Sequence, residues 1–305
     1  ANLTFTTAPT VQTSPVSTPI CEDANTTLSG TIKDATSYYW EVSTDNGGTW
    51  TTVAASSVYS TVTTSTLTFT KVPLSYNTYQ YRLVGVGACT PDAVTSATIL
   101  TVNEKPKVVN ISSITPVCEG ATATYTTTAT GTSLSFQWKV STDNGVTINN
   151  IAVGAPYTVT STANSSTLDI VTSTSLNTYK YQLEVTGTCS PKAVSNDVLL
   201  TVNSNPTVTS PADVTMCENA TKTMSVTLGG TGVGAQWQID NGTGYVDIIA
   251  DATFSGVTSN TLTIKNPATS LNGAKFQVVA KGTCNNTTGV TSANFATLTI
   301  NTVPV

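Results

Sequence analysis

The chain has 305 residues, of which 39% are hydrophobic and 10% are charged, and its formal net charge is −5. This length predicts two or three domains, and disordered chains are usually richer in charge and poorer in apolar residues. The acidic balance excludes a basic patch for nucleic acid, and no apolar run is long enough to span a bilayer. There is no His, so the commonest metal ligand and general base are both absent. We therefore expect a folded protein with no cofactor, no nucleic-acid partner and no membrane insertion.

Three landmarks recur along the chain and define a repeat of about 100 residues. Each repeat begins with a Cys-Glu pair, has a Trp about 20 residues later and has a second Cys about 50 residues after the Trp. The landmarks are Cys21, Trp40 and Cys89, then Cys118, Trp138 and Cys189, and finally Cys217, Trp237 and Cys284. The repeats place the domains at residues 7–104, 105–204 and 205–305.

The second repeat illustrates the strands that each domain is expected to contain. Aliphatic residues alternate with Thr and Ser, which is typical of short strands with one buried and one solvated face. In chain order, the pattern predicts strand A near 108–117, B near 121–129, C at 134–140, C′ near 148–153, E at 167–171, F at 179–186 and G at 194–202. About seven short strands with a Trp on the third strand indicate an immunoglobulin-like sandwich. The predicted fold class is therefore all-β, with three tandem immunoglobulin-like β-sandwich domains in an elongated rod.

The large aromatic residues are expected in the cores. Trp40, Trp138 and Trp237 recur at the strand-C position, where a Trp ring packs between the two sheets. Tyr81 and Tyr181 lie where the tyrosine corner of immunoglobulin domains falls, in which the hydroxyl bonds to upstream backbone. Phe276 replaces this Tyr in the third repeat, so the corner hydrogen bond should be missing there.

Acidic residues follow the strand that carries each Trp. Asp45, Asp143 and Asp240 each precede Asn-Gly, the usual signal of a tight hairpin turn. Carboxylates at these positions, and at Asp247 and Asp251, are candidate Ca²⁺ ligands, but no clustered acidic set accompanies them. We therefore favour turns over a metal site.

Trp50 has no counterpart in the second repeat, where Ile148 occupies the matching place. A Trp that does not repeat is not required by the shared core. We expect it to be exposed on strand C′ and name it as the possible ligand contact of the chain.

The repeats resemble a known family. The motifs are Val-Cys-Glu-Gly at 117–120, Phe-Gln-Trp-Lys-Val-Ser-Thr-Asp-Asn-Gly at 136–145, Tyr-Gln-Leu at 181–183 and Thr-Gly-Thr-Cys at 186–189. They resemble the Ig-like tandem repeats of secreted Bacteroidota cell-surface proteins, which include giant gliding and attachment adhesins exported by the type IX route. The resemblance covers essentially the whole chain and implies location and architecture more than a particular ligand.

Residues 1–6 align with the ends of strand G at 98–103 and 198–203. They are interpreted either as the end strand of a preceding repeat or as a donor strand that completes the sheet of a neighbouring subunit.

Six regularly placed Cys in a Thr-rich β chain indicate disulfides and an oxidising compartment. Strands B and F run in the same direction, so the two Cys of one repeat lie at opposite ends of its sandwich. Their offsets from mid-sandwich are about 23 Å and about 20 Å, whereas a disulfide needs Cα atoms within about 7 Å. We therefore favour Cys21–Cys189 and Cys118–Cys284 between adjacent domains, with Cys89 and Cys217 reaching repeats outside this chain. Pairing within repeats, as Cys21–Cys89, Cys118–Cys189 and Cys217–Cys284, stays open as the alternative.

The predicted function is structural: an adhesive repeat segment of an extracellular cell-surface protein that acts as a stiff disulfide-bonded stalk. No enzyme is expected, since no His can activate a Ser nucleophile and no Gly-x-Ser-x-Gly elbow is present. Expected partners are adjacent repeats of the same or neighbouring chains, with a surface polysaccharide as a further candidate. Two alternatives stay open: the subunit of an extracellular filament joined by strand donation, and a carbohydrate-binding or spacer module array of a secreted enzyme.

Overall fold

A computed structural model of the chain describes residues 7–302. These residues form strands β1–β34 and three short 3-10 helices, with no α-helix. Three clusters of buried hydrophobic residues divide this part of the chain, with members between residues 20 and 102, 108 and 202, and 208 and 300. The predicted all-β fold of three tandem sandwiches is therefore confirmed. Residues 1–6, interpreted above as an end strand or a donor strand, lie outside the described residues.

The first domain is built from twelve of the strands in residues 7–302. They are β1 (Thr10–Thr13), β2 (Ile20–Cys21), β3 (Thr26–Ser29), β4 (Thr31–Lys33), β5 (Ala35–Ser43), β6 (Thr51–Thr52), β7 (Tyr59–Ser60), β8 (Thr66–Phe69), β9 (Gln80–Gly87), β10 (Ala93–Val94), β11 (Thr98–Ile99) and β12 (Val102–Asn103), with a 3-10 helix at Leu74–Tyr76. One layer has the order β10-β9-β5-β6, with β11 also on β9, and the facing layer has the order β3-β8-β7. At the edge, β1 pairs with β4, and β2 runs parallel to β12.

The second domain repeats this plan. Its strands are β13 (Lys107–Val108), β14 (Val117–Cys118), β15 (Thr122–Thr130), β16 (Ser135–Ser141), β17 (Asn149–Asn150), β18 (Tyr157–Ser161), β19 (Ser165–Val171), β20 (Lys180–Thr186), β21 (Ala193–Val194), β22 (Val198–Leu199) and β23 (Val202–Asn203), with a 3-10 helix at Thr174–Leu176. One layer has the order β17-β16-β20-β21, with β22 also on β20, and the other has the order β13-β15-β19-β18. Again, the short strand before the second layer, β14, runs parallel to the final strand, β23.

The third domain keeps the plan with longer edge strands. Its strands are β24 (Thr207–Val208), β25 (Val214–Cys217), β26 (Thr221–Ser225), β27 (Leu228–Gly229), β28 (Gly234–Asp240), β29 (Val246–Asp247), β30 (Phe254–Ser255), β31 (Thr261–Lys265), β32 (Lys275–Gly282), β33 (Asn285–Thr291) and β34 (Ala296–Asn301), with a 3-10 helix at Thr269–Leu271. One layer has the order β25-β34-β32-β28-β29, with β33 also on β32, and the other has the order β26-β31-β30. In this domain β24 pairs with β27.

Two predicted strands of the second domain differ from the structure. Strand A is two short strands, because β13 pairs with β15 in one layer while β14 pairs with β23 in a separate two-stranded sheet. In the gap, the Ile111 N–H donates to Asn196 Oδ1 at 2.6 Å and Asn196 Nδ2 donates to the Ile111 carbonyl at 3.1 Å. Strand G is broken into β21, β22 and β23, and Asn196 lies in the first of the two gaps. The Asn196 side chain takes the place of a backbone hydrogen-bond partner for Ile111, which the alternation of apolar residues does not predict.

The three Trp rings lie at the centres of the cores, each at most 1% exposed. Trp40 and Trp138 lie opposite Leu83 and Leu183 on the neighbouring strand of the same sheet. Each indole N–H reaches an acceptor at 2.9 Å: the Thr64 carbonyl for Trp40, Ser166 Oγ for Trp138 and the Ser259 carbonyl for Trp237. The buried indole N–H of each domain therefore has a hydrogen-bond acceptor.

The tyrosine-corner prediction was wrong about the hydroxyl partner. Tyr81 is fully buried, and its hydroxyl bonds across the sandwich to the hydroxyl of Tyr59 on β7 at 2.9 Å. The hydroxyls of Tyr181 and Tyr157 pair in the same way at 3.4 Å. Burial raises the pKa of both Tyr59 and Tyr81, which keeps their hydroxyls neutral.

The third domain replaces both members of this pair. Phe276 is fully buried, and its ring centroid lies 6.1 Å from that of Phe254. Because both hydroxyls are lost together, neither partner is left unsatisfied in the core.

Candidate functional site at the joints between domains

The joints are built at the edge where each domain ends. In the first domain, β2 and β12 run parallel, so that Cys21 lies opposite Asn103, the last residue of the final strand. In the second domain, Cys118 lies opposite Asn203 in the same way. The cysteine of each Cys-Glu pair is thereby held beside the backbone that leads into the next domain.

Two disulfides join adjacent domains within residues 7–302. Cys21 bonds to Cys189 and Cys118 bonds to Cys284, with Cα–Cα distances of 5.7 Å and 5.5 Å that fall within the usual range. These are the pairs favoured by the strand directions, and the pairing within repeats is not formed. The sulfur of Cys189 lies 3.5 Å from the Asn103 carbonyl oxygen. Each bridge therefore packs against the start of the linker.

Backbone hydrogen bonds fix each linker to the following domain. The Glu104 N–H donates to Thr132 Oγ1 at 2.9 Å, and the Thr132 N–H donates back to the Glu104 carbonyl at 3.1 Å. In the second joint, Ser204 and Thr231 make the same two bonds, at 2.9 Å and 3.2 Å. The linker is therefore held in place by a reciprocal pair of bonds in both joints.

A glycine two residues before Cys189, and another two residues before Cys284, allow these loops to approach the linker. A Cβ on Gly187 would lie 2.9 Å from the Thr132 carbonyl oxygen and 3.1 Å from Pro106 Cγ. A Cβ on Gly282 would lie 3.5 Å from Pro206 Cβ. Sequence reasoning missed these residues, although the recurring Gly-x-Cys and Asn-x-x-Pro patterns carry the signal.

The two covalent connections of a joint attach to different layers of the next sandwich. The linker leads into β13, which pairs with β15 in one layer. Cys189 lies just beyond β20, which belongs to the other layer. The same holds in the second joint, where the linker leads into β24 and Cys284 follows β32. Rotation about the linker alone is therefore opposed by a second connection offset from it.

Charged side chains surround the first joint. Lys105 Nζ lies 2.9 Å from Asp23 Oδ2, and Lys107 Nζ lies 3.3 Å from Glu104 Oε1 and 3.5 Å from Glu22 Oε1. The hydrogen bond and charge of Lys105 lower the pKa of Asp23, and the hydrogen bond to Glu104 raises the pKa of Lys107. Since every ion pair of the cluster includes Asp23 or Lys107, whose side chains are largely exposed, we assign these pairs a small contribution to stability that salt will screen.

The second joint lacks this charge cluster. Gly120, Ser204, Asn205 and Thr207 occupy the places of Asp23 and its charged neighbours along the linker. One polar contact remains, in which Asn205 Nδ2 donates to the Glu119 carbonyl at 3.3 Å. The two joints thus share disulfide and backbone geometry but not electrostatics.

Cys89 and Cys217 belong to neither of the two disulfides. Cys89 follows β9 at the F–G turn of the first domain and is half-buried, whereas Cys217 ends β25 in the third domain and is exposed. Both were counted among six disulfide cysteines from the sequence. Their assignment to repeats outside this chain stays a prediction.

Trp50 differs from the exposed residue expected from the sequence. It is half-buried, and the guanidinium carbon of Arg82 lies 4.0 Å from the centre of its ring. Arg82 also donates from Nε to Glu41 Oε2 at 2.6 Å. A cation–π contact therefore already occupies one ring face, which leaves less of the ring for a ligand than the sequence suggested.

The acidic residues after strand C hold hairpin turns. Asp45 accepts hydrogen bonds from the Thr49 N–H at 2.8 Å and the Thr49 hydroxyl at 2.7 Å, and these bonds lower the pKa of Asp45 to about 2. Asp143 is bonded by Thr147 in the same way, and its pKa is also lowered to about 2.

The other three candidate Ca²⁺ ligands are also bonded locally. Asp240 accepts from two backbone N–H groups of its turn, Asp251 accepts from two more, and Asp247 accepts from Gln238 Nε2 at 2.8 Å. Within residues 7–302, no group of three or more His, Cys, Asp or Glu residues is placed to hold a metal ion. Turn hydrogen bonds account for Asp240 and Asp251, and a bond between paired strands accounts for Asp247.

Among residues 7–302, no helix has the length and apolarity that crossing a bilayer requires.

No known family model matches the chain, and no curated protein does so. Solved structures of tandem immunoglobulin domains do match. The I-band fragment I67–I69 of titin aligns with 97% of this chain and 99% of its own, at a TM-score of 0.67 and 16% identity. The E-to-A mutated variant of those titin domains aligns with 96% of this chain and 98% of its own, at a TM-score of 0.68 and 16% identity. The N-terminal eight Ig domains of Down Syndrome Cell Adhesion Molecule align at a TM-score of 0.55 and 15% identity. That alignment covers 97% of this chain and 37% of the other.

At these identities the likeness concerns the fold. It extends over all three domains at once, which agrees with the three separate cores described above. The chain is therefore a tandem of three immunoglobulin-like sandwiches.

Proposed function

We propose that this chain is a structural repeat segment of an extracellular cell-surface protein, in which it acts as a stiff disulfide-bonded stalk. The observation that carries the proposal is the placement of both disulfides between domains, at the joints where a chain of sandwiches would otherwise bend. A stalk requires fixed joints more than it requires a pocket. No catalytic activity is part of this proposal.

The extracellular location rests on the chemistry of the bridges. Structural disulfides form and persist in oxidising compartments, and cytosolic thiols are kept reduced. The resemblance of the repeats to secreted Bacteroidota surface proteins supports the same location, as does the likeness to domains of a protein named as a cell adhesion molecule. We include a type IX-exported adhesin as the parent class in this proposal.

Stiffness follows from how each joint is attached. A single linker allows one sandwich to swing on the other, because relative domain motion is the default for small interfaces. Here the linker is bonded to the next domain at Thr132 or Thr231, and the disulfide reaches the opposite layer. Bending must therefore strain two covalent connections, which is the property that a surface stalk needs.

The two alternatives have less support from residues 7–302. The carbohydrate-binding alternative depends on an exposed Trp50, but Arg82 covers one face of that ring. Strand donation drew on residues 1–6, which lie outside the described residues. Either alternative would return if the purified chain bound glycans or polymerised without covalent bonds.

The proposal is tested on cells that make the protein. Antibodies raised against the purified chain are expected to label intact, unpermeabilised cells, and label confined to permeabilised cells would overturn the location. A parent protein with Cys21→Ser and Cys189→Ser is expected to reach the surface at normal abundance but to hold cells less firmly under shear flow. Unchanged attachment at equal surface abundance would overturn the stalk role.

A further inference from the structure

Four tyrosine rings of the first domain form one continuous row of contacts. The ring centroids are 5.0 Å apart for Tyr79 and Tyr76, 5.6 Å for Tyr76 and Tyr59, and 6.2 Å for Tyr59 and Tyr81. Tyr81 is fully buried, whereas the other three are half-buried. The row therefore runs from the core of the sandwich towards its surface, and Tyr76 and Tyr79 are its outer members.

The turn between β8 and β9 holds these two outer rings together. The Tyr79 N–H donates to the Tyr76 carbonyl at 3.1 Å, and side chains three positions apart on such a tight turn lie on the same side of it. Their rings are nearly parallel, with 21° between the ring planes. The Thr78 N–H donates to the Leu100 carbonyl at 2.9 Å, which fixes the turn to the last part of the domain. The stacked pair is therefore held by the backbone.

The same turn occurs in the other two domains without this pair of phenols. In the second domain, the Tyr179 N–H donates to the Leu176 carbonyl at 3.2 Å, and in the third the Ala274 N–H donates to the Leu271 carbonyl at 3.0 Å. Within the described part of the second domain, the stacking and edge contacts between tyrosine rings involve Tyr181, which is fully buried. The backbone of the turn thus repeats, while the half-buried tyrosine pair is particular to the first domain.

We infer that Tyr76 and Tyr79 are an oxidative modification site, at which the two side chains couple into a dityrosine when hydrogen peroxide and a haem peroxidase are present. Two groups that are already held in contact react with each other far more readily than groups on separate molecules. The product closes the turn between β8 and β9 by a covalent bond between its side chains. The inference goes beyond the proposed stalk function and does not rest on it.

The coupling consumes one molecule of hydrogen peroxide. The peroxidase removes one electron and one proton from each phenol, which leaves two radicals whose unpaired electrons are shared with the ring carbons next to the oxygen. A carbon–carbon bond forms between one such carbon of each ring, and the proton on each of these carbons then moves to the oxygen, which restores both phenols. The two side chains lose two hydrogen atoms in total, and the peroxide takes up two electrons and two protons to become two molecules of water.

Tyr59 also stacks on Tyr76 but is less well placed for coupling. Its ring centroid is 5.6 Å from that of Tyr76, compared with 5.0 Å for Tyr79. Its hydroxyl bonds to the Tyr81 hydroxyl at 2.9 Å, and its ring packs edge-on against Phe69 with centroids 5.5 Å apart. These contacts hold the Tyr59 ring in the sandwich, so we expect the bond to form between Tyr76 and Tyr79.

The test treats the purified full chain, in dilute solution, with a haem peroxidase and limiting hydrogen peroxide. Dityrosine fluorescence is expected to appear in the monomeric protein. Both tyrosines lie in the tryptic peptide 72–82, which is expected to lose the mass of two hydrogen atoms and to resist fragmentation between Tyr76 and Tyr79. Tyr76→Phe and Tyr79→Phe keep the rings but remove one phenol each, and each is expected to lose the signal. Tyr179→Phe is the matched control on the second domain's turn and should leave the signal unchanged.

Three results would overturn the inference. A crosslinked peptide that joins Tyr59 to Tyr76 would show that the turn does not select the pair. Fluorescence confined to covalent dimers would show that tyrosines of different molecules couple instead. Peroxidase treatment that oxidises other tyrosines and leaves peptide 72–82 unchanged would show that the pair does not react. The proposed stalk would stand in each case, because its test on Cys21 and Cys189 is independent of these tyrosines.

Discussion

The two disulfides interleave along the chain, and this sets a sharp limit on how far the protein can be stretched. Cys118 lies between the residues of the first bridge, and Cys189 lies between those of the second. Four paths therefore connect Cys21 to Cys284 when both bridges are formed: the whole backbone, two that cross one bridge and one that crosses both. The shortest path crosses both bridges and uses only the backbone between Cys118 and Cys189.

The limit can be worked out from the residue numbers. Without bridges, Cys21 and Cys284 are about 260 residues apart, which extends to about 900 Å, whereas the shortest bridged path of about 70 residues extends to about 250 Å. Removing one bridge, either as Cys21→Ser/Cys189→Ser or as the corresponding pair in the second joint, leaves a path of about 100 residues, or about 350 Å. The effects of the two removals are therefore strongly non-additive.

Single-molecule stretching between the chain termini measures this directly. We expect the contour length between the bridged ends to rise by about 100 Å for loss of either disulfide and by about 650 Å for loss of both. Cys217→Ser serves as the matched control and should leave the length unchanged, since this residue is in neither bridge. A full-length extension of the oxidised chain, or a second removal that adds no more length than the first, would refute the interleaved arrangement.

Three further predictions concern single sites. Tyr59→Phe should destabilise the first domain by about 1–3 kcal/mol, because it leaves the buried Tyr81 hydroxyl without a hydrogen-bond partner. Adding Tyr81→Phe should restore part of the lost stability. Hydrogen exchange of β9 measures both effects, and a double variant less stable than Tyr59→Phe would contradict this. The pKa of Asp45 is lowered to about 2 in the folded protein, so its turn should be stable above about pH 4 and should loosen as pH falls from about 4 to 2. NMR signals of the turn residues report this loosening, and no change in them over that range would argue against the turn bonds. Gly187→Ala should speed hydrogen exchange of the first linker by about 5- to 150-fold, because its Cβ would lie 2.9 Å from the Thr132 carbonyl oxygen and 3.1 Å from Pro106 Cγ in the linker. Gly234→Ala has open space and is the control, and equal exchange in both variants would count against close packing at the joint.

Most of the fold could be predicted because three landmarks recur at fixed spacing. A Trp on the third strand between two distant Cys specifies a sandwich, and repetition specifies how many sandwiches there are. The bridge between Cys21 and Cys189 also followed from sequence, because strand direction alone separates the two Cys of one repeat by far more than a disulfide can span.

Details that depend on side-chain partners across the sandwich could not be predicted. The partner of Tyr81 is Tyr59, more than twenty positions away on the facing sheet, and no local spacing rule relates the two. In the first gap of strand G, the side chain of Asn196 bonds the backbone of Ile111, which hydrophobic alternation cannot show. The cover over Trp50 comes from Arg82, which the topology brings alongside from β9.

The two joints differ in surface charge but share their disulfide and backbone contacts, which shows which features define the joint geometry. Both keep the interdomain disulfide, the reciprocal linker bonds and a Gly–Pro contact, while only the first carries the cluster around Lys105. Exposed ion pairs contribute about 0–1 kcal/mol and are screened by salt, so they are too weak to set an interdomain angle. Backbone and sulfur therefore define the joint, and its surface charge is free to vary from one repeat to the next. A rod assembled this way keeps the same attachment at every joint whichever ions surround it, which is the behaviour that a stalk outside the cell requires.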